Sequence, residues 1–170
     1  MHTRRQMLAA AVAAPLSVTA LSNAIASKPR SYLDIYLDVI AAWKRHDVEG
    51  VLMHMADDIV WYVHVGTLPT VGKAAVRTLL TSMASTRTAE RWRIFNASID
   101  KSRLFVEGVD DFKNASGYRV ALPYMGIVEF EDTLIVAWRD YFDKGLAQKM
   151  EKGESVSPEI EPLISRPAKP

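Results

Sequence analysis

Downstream of residue 30 the apolar positions first recur three and four apart, then switch to every second residue from about Glu90. Tyr32, Ile35, Tyr36, Val39, Ile40 and Trp43 would share one face of a helix within SYLDIYLDVIAAWKRHD. Ser31 stands at its N-cap position with Asp34 three residues on, the spacing of a capping box. Asp47 predicts a second cap, before a short helix in VEGVLMHM. The run DDIVWYVHV alternates as a strand, with Trp61, Val63 and Val65 on one side and Tyr62 and His64 on the other. Gly66 and Pro69 mark a loop, and GKAAVRTLLTSMAS predicts a third helix turning Val76, Leu79, Leu80 and Met83 toward a core.

The second half predicts four strands, RWRIFNASI, SRLFVEGVDDF, YRVALPYMGIVEF and DTLIVAWRDYF, joined by the turns DK, KNASG and ED. Three helices followed by an antiparallel meander is an α+β pattern. Pro123, inside the third run, predicts a bulge or an edge there because it lacks an amide proton. Pro158, Pro162, Pro167 and Pro170 predict an extended tail over 151–170 that is not a packed element. There is no internal repeat.

Alternation also isolates two acids. Val136, Trp138, Asp140 and Phe142 share a face, opposite Ile135, Ala137, Arg139 and Tyr141. Leu104, Val106, Gly108, Asp110 and Phe112 share another, more apolar than the side of Phe105, Glu107, Val109 and Asp111. Asp110 and Asp140 are therefore expected to face inward, with Asp111 and Arg139 outward. Burial raises a carboxyl pKa and a neighbouring carboxylate splits two values apart, so one acid can hold a proton while the other is ionised. For either acid alone, the alternative is a structural carboxylate bonded to backbone or to a buried arginine.

Composition narrows the chemistry. The 170 residues suit one domain with a core, and 21 basic against 20 acidic residues point neither to nucleic acid nor to a membrane surface. The absence of cysteine excludes disulfides and thiolate chemistry. His2, His46, His54 and His64 show no paired metal spacing, and neither a glycine-rich phosphate loop nor a G-x-S-x-G elbow occurs. Residues 1–26 resemble a twin-arginine export signal: Arg4 and Arg5, an Ala-rich run from Leu8 to Leu21, and a cleavage pattern at Ala24-Ile25-Ala26. The expectation is a bacterial periplasmic or secreted protein whose mature form has no membrane contact and a net charge of −1.

GVDDF followed by LPYMGIVEFEDTLIVAWRDYFD resembles the limonene-1,2-epoxide hydrolase family, within the NTF2-like (SnoaL-like) folds, over roughly Tyr32 to Met150. The resemblance implies one domain over 27–150. Its fold would be a cone-shaped, strongly curved mixed or antiparallel sheet packed against about three N-terminal helices. It also implies hydrolysis without cofactor or metal, in which one aspartate activates water and another protonates the epoxide oxygen. By position, Asp140 matches the water-activating base and Asp110 the general acid. The family carries an arginine where this chain has Gly108, and a tyrosine and an asparagine where it has Trp61 and either Val63 or His64.

Trp61, His64 and Tyr124 are candidate polar helpers, Tyr124 because it stands two residues beyond Leu122 on the same face. Val63, Leu80, Met83, Phe112, Leu122, Trp138 and Phe142 are the candidate pocket wall. Three functions follow: a hydrolase of a small apolar epoxide, an isomerase, lyase or cyclase using a pocket carboxylate for proton transfer, or a binding module for an apolar small molecule. The expected partner is an apolar small molecule, not nucleic acid, and the expected assembly a homodimer.

Overall fold

The computed structural model describes residues 30–168, so the export-signal reading of 1–26 lies outside the described residues. Helix α1 spans Tyr32–Trp43 and opens on the expected capping box, with the Ser31 side chain accepting from the Asp34 amide and the Ser31 amide donating back to Asp34 at 2.9 Å. Asp47 caps the short α2, Val48–Leu52, by accepting from the Gly50 amide. Strand β1, Met55–Tyr62, is followed by a two-residue β2, Thr70–Val71, and then α3, Lys73–Thr86. The meander is β3 (Arg93–Asp100), β4 (Arg103–Lys113), β5 (Arg119–Glu131) and β6 (Leu134–Tyr141).

The six strands form one mixed sheet in the order β2-β1-β6-β5-β4-β3, antiparallel except where β1 runs parallel to β6. Helices α1 to α3 lie on one face. There Ile35, Tyr36, Val39, Val76 and Leu80 pack with Leu104, Val106, Val128 and Trp138 in a single buried cluster. Strand alternation and helical spacing thus bury the same set of residues from opposite sides, which is what holds the α+β arrangement together.

Four expectations need correction or refinement. Two helices follow the meander: α4, Lys144–Glu151, whose cap is Asp143 accepting from the Leu146 amide, and α5, Glu161–Ile164. The tail is therefore not an extended, unpacked segment. Ile164 is fully buried against Phe95, Val109 and Ala121, Arg93 donates to the Ile164 carbonyl at 2.7 Å, and Arg166 lies over the Phe95 ring. Proline at the first turn of α5 fits because a helix start needs no amide donor there.

Asp111 does face away from the helices, as alternation requires, but it is 1% exposed. Arg91 and Arg119 donate to it at 3.0 Å and Arg93 stands 3.6 Å away, so this outer face is covered. Arg139, on its outer face, donates to Glu129 in a salt bridge. Pro123 marks a local edge without a bulge. The β4–β5 register runs unbroken past Val109↔Pro123, while pairing with β6 begins only at Met125↔Tyr141.

Candidate active site

Asp110 and Asp140 line one cavity of about 680 Å³, counting its open mouth, between the sheet and the helices. Their strands are not neighbours, because β5 lies between β4 and β6. Asp110 is paired with Leu122 and Asp140 with Gly126, so the two acids approach across the inward face of β5. A Cβ at Gly126 would sit 3.1 Å from Asp140 Oδ1 and 2.9 Å from a Val106 methyl, so glycine there leaves the carboxylate its space.

The two acids have different partners. Trp138 donates its indole N–H to Asp140 Oδ1 at 2.9 Å, and Trp61 donates to Oδ2 at 3.4 Å. No cation reaches Asp140 among the described residues. Burial pushes its pKa up to about 7, the indole hydrogen bonds oppose that shift, and the charge of Asp110 adds to it. Asp110 Oδ2 instead accepts from Arg87 Nη1 at 3.0 Å, while Asp110 Oδ1 is buried without a hydrogen bond. Burial raises this pKa too, but the Arg87 guanidinium pulls against it.

Arg87 is the cavity-lining residue beside the acids that sequence reasoning missed. It follows the last residue of α3 with extended backbone (φ −118°, ψ 147°). The segment after it zips along the end of β4: Thr88 and Lys113 exchange backbone hydrogen bonds, and the Arg91 amide donates to the Asp111 carbonyl. That pairing brings Arg87 beside Asp110 and lays its guanidinium 3.9 Å from the centre of the Phe112 ring. The arginine that the resemblance placed at Gly108 has no room there. A Cβ at Gly108 would lie 2.4 Å from the Arg93 carbonyl oxygen and 3.0 Å from the Tyr124 ring.

Of the candidate wall residues, Val63, Leu80, Met83, Leu122, Trp138 and Phe142 line the cavity with Trp61 and Tyr124. Phe112 does not. It belongs to a second apolar cluster with Val120, Leu122 and Met150, where Arg87 covers its ring. His64 does not either: its Nε2 is 3.3 Å from the Phe142 carbonyl, and its ring packs edge-on against Phe142. All four tryptophans, Trp43, Trp61, Trp92 and Trp138, line the cavity.

Tyr124 is held from two sides. Trp92 donates its N–H to the Tyr124 hydroxyl at 2.6 Å, and the Tyr36 hydroxyl is 3.1 Å away. Burial raises both phenols well above their ordinary value, so both stay neutral donors. If Tyr124 oxygen accepts from Trp92 and from Tyr36, its own proton is available to the cavity. A third acid, Glu90, is 1% exposed at its side chain, has no hydrogen bond of normal geometry on either oxygen, and has His46 Nε2 3.8 Å from its Oε1. Burial, then the charge of Asp110, push it up to about 7, against the pull of Arg87 and a smaller one from the Trp43 indole. Among the described residues, no group of three or more histidine and acidic side chains converges as a metal site would require.

Residues 31–152 match the family model of the limonene-1,2-epoxide hydrolase catalytic domain. The chain belongs to this family. Solved structures place the hydrolase-family chain on the NTF2-like fold. An LEH-like epoxide hydrolase of M. tuberculosis is 26% identical, with a TM-score of 0.63 over 72% of this chain and 90% of that one. An NTF2-like protein from Burkholderia pseudomallei is 19% identical, with a TM-score of 0.62 over 73% and 98%. A candidate polyketide cyclase from Xanthomonas campestris is 19% identical, with a TM-score of 0.62 over 70% and 96%. The last two likenesses show the fold alone. No curated protein matches the sequence.

Proposed function

We propose that this protein adds water to a small apolar epoxide to give a 1,2-diol, using Asp110 and Asp140 as its acid–base pair. The observation that carries this reading is the unequal partnering of two acids at one apolar cavity. Arg87 donates to Asp110, whereas Asp140 meets only indole N–H groups. Membership of the limonene-1,2-epoxide hydrolase family supports the reaction class.

The family pattern gives the water to Asp140, but the partners here favour the reverse assignment. A base must be ionised and an acid protonated at the working pH. Only Asp110 has a cation to favour its charged form, and its Oδ1 has no other hydrogen bond. Asp140, pushed up to about 7, holds a proton through the acid range. Oδ2 is the better site for that proton because its contact with Trp61 is the longer one, leaving Oδ1 to accept from Trp138.

In this scheme Asp110 takes a proton from water as the water oxygen bonds to an epoxide carbon. The strained C–O bond breaks, and the departing oxygen takes the proton from Asp140. Tyr124, which lines the same cavity, would donate a hydrogen bond to the same oxygen as charge develops on it. Turnover leaves a neutral acid beside Arg87 and a carboxylate in an apolar cage. That state is higher in energy than the starting one, so return of the proton from Asp110 to Asp140 is downhill.

A second reading, proton transfer in an isomerase or cyclase, is favoured by one observation: a neutral Tyr124 donor beside a carboxyl of raised pKa is a pairing suited to enolisation. Incubation with terpene and styrene-type epoxides in ¹⁸O-water separates the two. Hydrolysis yields a diol with one labelled oxygen, and Asp140→Asn should lower its rate by about 10²-fold or more. An inert panel, or a product without solvent oxygen, would overturn the hydrolase reading in favour of proton transfer.

A further inference from the structure

Beside the tryptophan-lined cavity lies a second, shallow and open cavity, about 720 Å³ including the solvent at its mouth, which shares two wall residues with it, Arg87 and Met83. Phe112, Asn114, Ser116 and Glu151 are among its other walls. Most polar groups there are already engaged. The Thr86 hydroxyl donates to the carbonyls of Ser82 and Met83 at 3.2 and 3.1 Å. Asn114 donates to the Glu151 carbonyl at 2.9 Å, and its Oδ1 accepts from the amides of Ser116 and Tyr118.

Three groups remain open on this cavity. Arg87 gives one N–H to Asp110 and keeps the others, since its ring contact with Phe112 uses the guanidinium face. The Ser116 hydroxyl and the Glu151 carboxylate, both on solvent-exposed residues, have no protein partner among the described residues. A guanidinium and a carboxylate on one cavity suit a neutral group that both accepts and donates. A carboxylate ligand would gain Arg87 but meet Glu151 as a like charge. A hydrocarbon arm would strip water from both charges without replacing it.

We propose that this second cavity is a subsite for a hydroxyl-bearing arm of the ligand whose apolar body fills the tryptophan-lined cavity, with Arg87 as their common wall. The proposal rests on the reading of the tryptophan-lined cavity as a substrate site. It makes the substrate class amphiphilic: a compact apolar skeleton carrying an alcohol.

Equilibrium binding of unreactive probes tests this without requiring turnover. Limonene, perillyl alcohol and perillate share one skeleton and differ in carrying no oxygen, a hydroxyl or a carboxylate. All four tryptophans line the first cavity, so their fluorescence reports its occupancy. Perillyl alcohol should bind about tenfold tighter than limonene, the increment of one hydrogen bond to a charged donor, and perillate should show no such gain. Ser116→Phe, at an exposed turn on the second cavity, should erase the preference for the alcohol and leave limonene binding unchanged. Equal affinities for limonene and the alcohol, a preference for the carboxylate, or a preference that survives Ser116→Phe would overturn the subsite. Failure of limonene itself to bind would instead remove the apolar substrate site on which it rests.

Discussion

At the residue scale, three acids in or beside one cavity, Asp140 and the Glu90 side chain buried and Asp110 partly so, differ in what they touch. Asp110 has a guanidinium, Asp140 two indole donors, and Glu90 only weak contacts, with His46 Nε2 at 3.8 Å and Trp43 nearby. Glu90 gives a prediction that does not depend on any reaction. Its folded pKa is about 7 against an ordinary 4.5, so the native state binds more protons than the unfolded chain between those values. Stability from this group is therefore fully present below about pH 4.5 and lost as pH rises to about 7. Glu90→Gln should stabilise the protein by on the order of 2–3 kcal/mol at pH 8, with the gain vanishing near pH 4.5. Urea unfolding at the two pH values reads this directly. An equal or lower stability of the variant at pH 8 would mean that Glu90 is ionised and satisfied in the fold.

At the scale of elements, strand alternation placed Asp110 and Asp140 on the inward face from sequence alone, since a one-residue slip would have turned both acids outward. The same rule was blind to Arg87. That residue sits outside any periodic run, and its nearness to Asp110 comes from a bridge between Thr88 and Lys113 that has no local signature. His64 and Phe112 show the opposite limit: alternation gives a face, but where the strand leaves the cavity that face packs on something else. The prolines of the tail concealed α5, because proline at a helix start reads like proline in an extended segment. The tail then acts as a strap across the outer sheet face, with Ile164 as its buried anchor. Ile164→Ala should cost about 2–4 kcal/mol in chemical denaturation while leaving ligand binding at the tryptophan-lined cavity unchanged. A loss below about 0.5 kcal/mol would mean that the strap is not held by this contact.

At the scale of the whole molecule, one mixed sheet and three helices enclose an apolar chamber in which two carboxyls meet unlike surroundings, one a guanidinium and the other only indole donors. Arg87 arrives from the end of a helix, whereas the family pattern puts its arginine on the strand where this chain has Gly108. Relocating the cation to Asp110 alone is the reason for assigning the base to Asp110 and the acid to Asp140. The two assignments demand opposite responses to pH. The pH dependence of kcat/KM for diol formation from an uncharged terpene epoxide tests this most directly, because the substrate itself does not titrate. With Asp140 as the acid, activity should fall as pH rises through about 7, and its ascending limb should lie at lower pH, because Arg87 opposes the upward push of burial on Asp110. Activity that instead climbs through about 7 to a plateau would make Asp140 the base and contradict the account.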